Sequence, residues 1–426
     1  MNDIKTAVAL CAVGAEKVVS NELKKLNDGS QTKKNTFTIE ESSYGKVRFK
    51  TDTAGLYKAL IGLRAADRVL LEAANFKAVD FDALFEGTAA AQWETLVPKG
   101  MGLIVSKVRT NRSVLKAETS IQAVVHKAAA QRLCNKYNEE RLPEPKQVAK
   151  NSGENPVKIA EVRVYIEKDV VSLLIDLSGD PMFKRGYRSE GGAAPLRETT
   201  AAALLLLSGW KRKLPLYDPF CGSGTFLIEA LSYAWDMAPG LGRHFAIDDL
   251  LIADAKIEKK VREEFRSKID FTRLVRIGGS DEELRSVSIA RSNAARLRDI
   301  AEGRPPQKGI RSAEGTTADI SLKTLPMKDA RTLAEHSPLP TPHSPLPSPK
   351  GYIITNPPYG KRLGDPAIAE QTYKDMAGLA ERFPGWKLAV ITDHSGFESF
   401  FGKKADNCRE ISNGNTPSFF YQYDVL

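Results

Sequence analysis

The chain has 426 residues, of which 42% are hydrophobic and 27% are charged, with a formal net charge of +9 and a sequence pI near 9.1. This length exceeds one ordinary domain and predicts two or three, and the composition is that of a globular, water-soluble protein. The basic balance fits a polyanionic partner such as nucleic acid, although many basic proteins bind none.

Several classes of protein are disfavoured at once. No apolar run reaches the length of a membrane span, and no basic segment precedes the apolar residues of the amino terminus, so a cytoplasmic protein is predicted. The five histidines form no cluster, and the four cysteines are far apart in the sequence. We therefore expect neither a disulfide framework nor a metal site. The cysteines are Cys11, Cys134, Cys221 and Cys408.

The first part of the chain predicts a small α+β unit. A strand is expected over residues 4–13 and a helix from Ala15 to Leu26, with short strands near residues 37–39 and 47–49. A second helix is predicted from Asp52, a capping residue, and it runs towards a strand-like end at Leu71.

A basic passage from strand to helix follows. A strand is predicted over residues 103–109 and a long helix over residues 119–137, with Lys107, Arg109, Arg112 and Lys116 around the connection. Such cations beside hydroxyl and amide side chains are the residue types that hold phosphates. The same pattern is equally typical of a solvated basic loop.

The sequence then changes character. Residues 160–167 and 170–177 alternate in polarity and predict a β-hairpin. Beyond it, three cations surround an aromatic residue in residues 183–188, and the helix expected over residues 196–208 is almost wholly apolar. A helix that is apolar on every side must be buried, so it is expected to pack on a sheet.

The next strand, residues 214–217, runs into Asp218 and a glycine turn at Gly222 and Gly224, followed by an apolar helix. Glycines let the backbone approach a ligand, and the amino terminus of a helix faces it. A single Gly-x-Gly is compatible with several kinds of nucleotide site and with simple tight packing. The Gly-Lys-Ser/Thr ending of a phosphate-binding Walker loop is absent.

Acidic residues end the following strands. Residues 275–283 predict a strand that ends in Asp281 and Glu283, at a position where a ribose-binding carboxylate is found in dinucleotide folds. A helix is expected over residues 287–297, and Asp329 is a further acid at a strand end. A single acid in such a place is usually just solvated.

The most informative stretch is Asn356-Pro357-Pro358-Tyr359, which follows a β-branched and aromatic strand over residues 351–355. It therefore lies at the carboxyl end of a strand, where ligands bind in open parallel sheets. The asparagine side-chain carbonyl and a backbone carbonyl could both accept from one exocyclic amine, and the tyrosine could stack on a planar base. The alternative is a Pro-Pro turn capped by asparagine.

Two insertions stand apart from these motifs. Residues 300–324 are polar and poorly patterned, and residues 337–349 are rich in proline, which favours extended surface loops over packed structure. A peptide-ligand role for the second is possible, but a tolerated surface insertion is the simpler interpretation. A helix over residues 368–383 and strands over residues 387–392 and 419–423 would complete a doubly wound sheet.

Four stretches in this order carry a family resemblance: GYRSEGGAAPLRETTAAALLLLSGW, DPFCGSGTFLIEA, GSDEE and ITNPPYGKRLG. They resemble the class I S-adenosylmethionine-dependent RNA methyltransferases with an N-terminal THUMP domain, and within them the bacterial 23S rRNA guanine-N2 methyltransferases of the RlmL type. The resemblance implies an α/β fold in which a class I, Rossmann-like, doubly wound sheet is preceded by α+β ferredoxin-like and THUMP domains. The implied boundaries are residues 1–47, 48–180 and 181–426, the last with the proline-rich insertion 337–349.

The resemblance also implies roles for individual residues, with S-adenosyl-L-methionine as cofactor and RNA as partner. The expected RNA is 23S rRNA or a large-subunit assembly intermediate, with no membrane or metal partner. The catalytic residues would be Asn356, Pro357, Pro358 and Tyr359. The cofactor would be held by Asp218, Cys221, Gly222, Ser223, Gly224, Thr225, Asp281, Glu283 and Asp329. RNA would be held by Lys107, Arg109, Arg112, Lys116, Lys184, Arg185 and Arg188.

The sequence departs from the family pattern at Glu283, where aspartate is usual, at Phe183, where histidine is frequent, and at Lys361, where glutamate is frequent. Three alternatives remain open at this point. Asn-Pro-Pro-Tyr also serves methyltransferases that act on adenine N6 or on glutamine amides, and THUMP enzymes also act on guanine N2 in tRNA. The third alternative is a non-catalytic RNA-binding factor in ribosome assembly that keeps the fold.

Overall fold

The structure is a computed structural model. It describes residues 4–28, 36–144, 157–188, 196–307, 320–331, 350–358, 366–414 and 416–426. Its strands form two seven-stranded sheets, one from each half of the chain. No helix among these residues is long and apolar enough to cross a membrane.

The first sheet has the order β2-β3-β1-β4-β7-β6-β5. All its neighbouring strands are antiparallel except β5 and β6. The strands are β1 (Lys5–Cys11), β2 (Thr38–Ser43), β3 (Lys46–Thr51), β4 (Ala66–Lys77), β5 (Gly102–Asn111), β6 (Ile159–Glu167) and β7 (Val170–Asp176). The helices of this half are α1 (Glu16–Asp28), α2 (Thr53–Gly62), α3 (Phe81–Ala90) and α4 (Glu118–Tyr137).

Two details of this half differ from expectation. The helix that begins after the cap Asp52 ends at Gly62, and the chain then forms the 12-residue strand β4. Val69, Leu70 and Leu71 are all buried, so this strand lacks the alternation that would have marked it. The expected domain boundary at residue 47 lies within strand β3. The strands on both sides of this boundary belong to the same sheet.

The second sheet has the order β10-β9-β8-β11-β12-β14-β13. Neighbouring strands from β10 to β12 are parallel, whereas β14 is antiparallel to both of its neighbours. The strands are β8 (Leu216–Asp218), β9 (Ile277–Asp281), β10 (Ser321–Thr324), β11 (Tyr352–Thr355), β12 (Lys387–Thr392), β13 (Asn407–Asn413) and β14 (Thr416–Tyr423). The predicted doubly wound sheet is confirmed.

Helices accompany this sheet along the chain. They are α5 (Glu198–Leu207), α6 (Thr225–Ala234), α7 (Ala255–Arg266), α8 (Leu284–Ala301), α9 (Pro366–Met376), α10 (Leu379–Arg382) and α11 (Phe397–Phe401). The apolar helix α5 is buried from Glu198 to Leu205, as its composition predicted.

Several elements of this half were not expected, the helices α7 and α11 among them. Strand β10 lies in the segment that was interpreted as an insertion. It could not be recognised from the sequence because it is a short edge strand in which only Leu322 is buried. The helix expected over residues 368–383 is divided into α9 and α10, and β13 had no prediction. The proline-rich segment 337–349 lies outside the described residues.

The two halves meet in a buried contact. Arg64, which follows α2, is enclosed and donates to the Ser232 hydroxyl at 3.0 Å and to the Met237 carbonyl. At Gly240 the backbones themselves touch, since its N–H donates to the Ile61 carbonyl at 2.9 Å and an added Cβ would lie 2.7 Å from the Ile61 Cα. The half of the chain that forms the first sheet is therefore in direct contact, through α2 and Arg64, with the half that carries the glycine turn and the Asn-Pro-Pro stretch.

Candidate active site

The strand order of the second sheet reverses between β8 and β11. From β8 the chain continues through α6 to β9 on one side, and from β11 through α9 to β12 on the other. In open α/β sheets such a reversal opens a crevice at the carboxyl ends of the strands, where ligands bind. Asp218 ends β8 and Asn356 follows β11, so the two main sequence motifs flank this crevice.

The glycine turn after β8 borders open space. Gly222 has φ +50°, and an added Cβ there would meet no atom of the described residues within 4 Å. Gly224 has φ +83°, and its Cβ would lie 3.0 Å from the Ala290 Cβ on α8. Both positions favour glycine by conformation, one of them beside room for a ligand and the other against a packed helix.

Asp281, at the end of β9, holds this turn in place. One carboxylate oxygen accepts from the Gly222 N–H at 2.9 Å, and the other accepts from the Glu283 N–H at 3.0 Å. Glu283 itself is exposed, and one of its oxygens accepts from the Ser286 hydroxyl at 2.7 Å. Asp281 therefore braces the turn, whereas Glu283, which was also expected to hold the cofactor, faces solvent.

Asp218 is buried at the same junction. Its Oδ1 accepts from the Thr355 hydroxyl at 2.6 Å and from the Phe220 N–H at 3.0 Å. Burial, together with the nearby Asp281 charge, raises the pKa of the Asp218 carboxyl to about 7 against the lowering effect of these hydrogen bonds.

Asn356 keeps one strong acceptor without a partner. Its Oδ1 is enclosed and has no hydrogen bond to any described residue. Leaving a buried amide oxygen unpaired costs about 1–3 kcal/mol, so such atoms need an explanation. The adjacent Pro357 is buried and offers a carbonyl without an N–H of its own. Pro358 is half-buried, and Tyr359 lies outside the described residues.

The other predicted cofactor residues have mixed surroundings. Asp329 is exposed, on a 3₁₀ turn that follows β10. The Ser223 carbonyl accepts from the Asn293 side chain at 3.1 Å, and the Thr225 hydroxyl accepts from Arg188 at 2.8 Å. Cys221 is buried, and burial raises the pKa of its thiol well above the usual value. It therefore stays a neutral thiol that packs beneath the turn.

The predicted RNA-contacting cations separate into two groups. The exposed ones are Lys107, Arg109, Arg112, Lys116 and Lys184. Two others face inward, and for these the expectation of an RNA contact is corrected. Arg185 is 4% exposed and donates to the Met182 and Arg64 carbonyls.

Arg188 is the second inward-facing cation. Its side chain is 15% exposed and bonds Thr225 and Glu198. In sequence, cations around an aromatic residue look like a nucleic-acid patch. The carboxylates that bind them, Glu229 near Arg185 and Glu198 near Arg188, come from helices later in the chain.

One functional candidate escaped the sequence reasoning, and another, Arg188, was given a different role, that of an RNA contact. Thr355 was taken as part of a strand, since threonine is typical of strands, and nothing local indicates its bond to Asp218. Arg188 contacts the first residue of α6, but its partner is 37 residues away. Among the described residues, no group of three or more histidine, cysteine, aspartate or glutamate side chains is arranged to hold a metal ion.

The sheet reverses its strand order, carries a glycine turn over open space after one strand, and has an amide oxygen without a partner among the described residues after the next. This arrangement fits the class I methyltransferases that depend on S-adenosylmethionine. Comparison with known proteins leads to the family. The profile described as RMKL-like, methyltransferase domain matches residues 185–301 and 339–421, and the profile of the RlmL ferredoxin-like domain matches residues 6–70.

Individual proteins are similar over the full length of the chain. YpsC of Bacillus subtilis (strain 168), named as a candidate RNA methyltransferase, is 33% identical over 98% of this chain and 95% of its own. Ribosomal RNA large subunit methyltransferase K/L of Marinomonas sp. (strain MWYL1) is 30% identical over 98% of this chain, which spans 52% of that longer protein. The chain therefore belongs to the RlmL-like methyltransferase family.

Solved structures agree with this assignment. The crystal structure of SMU.472, a candidate methyltransferase in complex with SAH, has a TM-score of 0.79 and 30% identity, covering 100% of this chain and 99% of its own. A predicted N6-adenine-specific DNA methylase from Listeria monocytogenes str. 4b F2365 has a TM-score of 0.78 and 31% identity, covering 99% of this chain and 96% of its own.

The residues present fit the cofactor. The open space beside Gly222 leaves room for a ligand against the backbone, and exposed carboxylates stand beyond the ends of β9 and β10, at Glu283 and Asp329. When bound, S-adenosylmethionine supplies a methyl group already activated by the sulfonium, so no metal or covalent nucleophile is required. The residues that would hold the donor are those of the turn after β8, where the open space lies.

The raised pKa of Asp218 predicts a change in stability with pH. Because its folded pKa of about 7 exceeds the ordinary value of 3.8, its contribution is full below about pH 3.8 and is lost as the pH rises through 7. Asp218→Asn should remove that loss. Urea unfolding without cofactor should show the variant gaining relative to the parent between pH 5 and pH 8, by about 2–3 kcal/mol. Parallel pH profiles would contradict the assignment.

Proposed function

We propose that the protein transfers the methyl group of S-adenosylmethionine to the exocyclic N2 amine of a guanine in 23S rRNA. The observation that carries the proposal is the enclosed Oδ1 of Asn356, which has no partner among the described residues at the carboxyl end of β11. An acceptor kept unpaired at a ligand-binding edge is suited to an N–H donor from a substrate. An exocyclic amine brings two such hydrogens.

The chemistry follows from these acceptors. The lone pair of an aromatic amine is delocalised into the ring, so the amine is a poor nucleophile. Acceptors at Asn356 Oδ1 and the Pro357 carbonyl would bind its hydrogens and stabilise the positive charge that develops on the nitrogen during transfer. Holding the nitrogen in line with the bond that breaks supplies a further part of the rate. Tyr359 is proposed to stack on the base after it leaves its RNA helix.

An RNA substrate is supported from two sides. The similar proteins are named as RNA methyltransferases, one of them for the large ribosomal subunit. Exposed Lys107, Arg109, Arg112 and Lys116 stand on and after β5 of the first sheet, where they could hold phosphates. We propose that this part of the chain, beyond the ferredoxin-like match at residues 6–70, acts as the THUMP domain.

Guanine is favoured over adenine by Asp393. β12 lies parallel to β11 with Val390 opposite Thr355, so Pro358 and Asp393 leave the sheet at the same edge. Asp393 is half-buried and has no hydrogen bond or ion pair within the described part of the chain. A carboxylate accepts from the N1–H of guanine but meets a lone pair at N1 of adenine, so it would select guanine.

The second candidate function is methylation of adenine N6. A similar structure is named as an N6-adenine-specific DNA methylase, and adenine N6 is an exocyclic amine that the same acceptors could bind. A guanine in tRNA would be the nearest alternative within RNA. A non-catalytic assembly factor is opposed by the unpaired Asn356 and the open glycine turn, which a protein without a ligand has no need to keep.

The decisive experiment compares nucleosides from the rRNA of a strain that lacks this protein with those of its parent, by mass spectrometry. We expect the loss of one N2-methylguanosine from 23S rRNA and its return when the gene is restored. Loss of N2-methylguanosine from tRNA instead would show that the substrate is tRNA. Loss of N6-methyladenosine would show that the methylated base is adenine. An unchanged profile in both RNAs would contradict the enzymatic proposal.

Asn356→Ala should abolish transfer while sparing the cofactor. Removal of one group that stabilises transition-state charge typically costs about 10²–10³ in rate, so a loss in kcat of this order is expected. Binding of S-adenosylhomocysteine, measured by calorimetry, should stay within about threefold because the amide serves the acceptor base. Asn407→Ala, on the exposed strand β13, is the matched control and should keep both. Equal losses of rate and cofactor binding would sink the assignment.

Asp393→Asn should weaken the preference for guanine. We expect kcat/KM on the guanine substrate to fall by about tenfold or more, since a charged hydrogen bond is worth roughly 1.5–3 kcal/mol. Cofactor affinity should not change. Asp406→Asn, an exposed carboxylate beyond α11, is the control. An unaltered kcat/KM in the Asp393 variant would remove this residue from base recognition.

A further inference from the structure

A single side-chain hydrogen bond spans the crevice between β8 and β11. Thr355 ends β11 immediately before Asn356, and its side chain is fully buried. Its hydroxyl lies 2.6 Å from Oδ1 of Asp218, the last residue of β8. The bond therefore ties the strand that leads to the cofactor turn to the strand that leads to the acceptor site.

The backbone between these two strands is weakly joined at this point. Their ladder consists of Tyr352 opposite Leu216 and Ile353 opposite Tyr217, and it ends there. By contrast, β11 pairs with β12 over all four of its residues, up to Thr355. No further ladder pair joins β8 to β11 among the described residues, so backbone pairing does not fix the distance across the crevice.

Asp218 also reaches the turn itself. Its Oδ1 accepts from the Phe220 N–H at 3.0 Å, and residues 221 and 224 close the turn through their own backbone bond of 2.8 Å. One carboxylate oxygen thus receives a hydrogen from the cofactor side and a hydrogen from the acceptor side. The Thr355 bond therefore links the two motifs through a single carboxylate oxygen.

We propose that Thr355 is a positioning residue whose hydrogen bond to Asp218 sets the spacing between the methyl donor, held at the turn after β8, and the acceptor amine, held after β11. The inference uses the methyltransferase activity of the family and does not depend on which base is methylated. In-line transfer is sensitive to misplacement on the scale of 1 Å, which can cost about 10²-fold in rate.

A purely structural role would look different. Removing a buried hydroxyl from any well-packed site lowers the stability of the fold, whatever the site does. A positioning role adds two effects that stability does not produce. The first is a fall in kcat at saturating cofactor and RNA. The second is a change in the titration of Asp218, because the Thr355 hydroxyl is the largest influence that lowers its pKa.

The second effect can be measured without RNA. S-adenosylmethionine carries a net positive charge, so an ionised Asp218 should bind it better than a neutral one. The α-amino group of the cofactor also titrates between about pH 5.5 and 8.5, so the contribution of Asp218 is measured as the difference in affinity between variant and parent. The other groups that act on Asp218 are Asp281, Tyr217 and Cys221. Burial raises the pKa of both Tyr217 and Cys221, so these two stay neutral throughout this range.

The experiment compares Thr355→Val, which keeps the shape, with Thr355→Ser, which keeps the hydroxyl. For Thr355→Val we expect kcat to fall by about tenfold or more, and the midpoint of cofactor affinity to move to higher pH. Thr355→Ser should restore most of both. Thr88→Val is the matched control, since Thr88 is also fully buried and hydrogen-bonded, at 2.7 Å to Leu84, but lies in α3.

The outcomes separate the possibilities. If Thr355→Val loses only stability, to the extent of Thr88→Val, and keeps its kcat and its binding midpoint, the proposal is overturned. If no RNA is methylated by the parent, the guanine proposal fails, while calorimetric titration of the cofactor against pH still tests the link between Thr355 and Asp218. A shift that Thr355→Ser does not reverse would also contradict a role for the hydroxyl.

Discussion

The site depends on a gap in the second sheet. β8 contributes only three residues, and its ladder with β11 covers two of them. The strands that precede the glycine turn and the Asn-Pro-Pro stretch are therefore paired over a very short length. A longer ladder would close the crevice with backbone hydrogen bonds. What remains at the junction is side-chain chemistry, a carboxylate shared by both strands at Asp218 and an amide at Asn356 whose Oδ1 lacks a partner in the described chain.

The same junction explains why so many polar groups are enclosed in one place. Asp218 is buried on one side of the glycine turn, and Asp281 holds the other side through two backbone N–H groups. A carboxylate that accepts from backbone amides fixes a loop more firmly than apolar packing does, because its hydrogen bonds are directional and charge-assisted. The turn is thereby shaped before any ligand binds, which lowers the ordering cost of binding.

Sequence reasoning was most successful where chemistry and local pattern coincide. The glycine turn, the terminal acids of β9 and the Asn-Pro-Pro stretch could be found because glycine and proline restrict the backbone locally. The doubly wound sheet followed from alternating helices and strands. Prediction from the sequence failed for side chains whose hydrogen-bond or ion-pair partner is distant in the sequence. Arg185 looks like an RNA contact until Glu229 and the Arg64 carbonyl enclose it, and Thr355 looks like a strand residue until Asp218 approaches from 137 positions away.

The backbone contact at Gly240 has a consequence for how a substrate is chosen. Main chain meets main chain there, because the Gly240 N–H donates to the Ile61 carbonyl of α2, and the enclosed Arg64 side chain adds bonds to Ser232 and Met237. An RNA held by the basic end of β5, as proposed, would then present its target at a set distance along its own helix. The protein would then select its target nucleotide by its distance from the RNA segment bound at β5, without contacting the bases between that segment and the target.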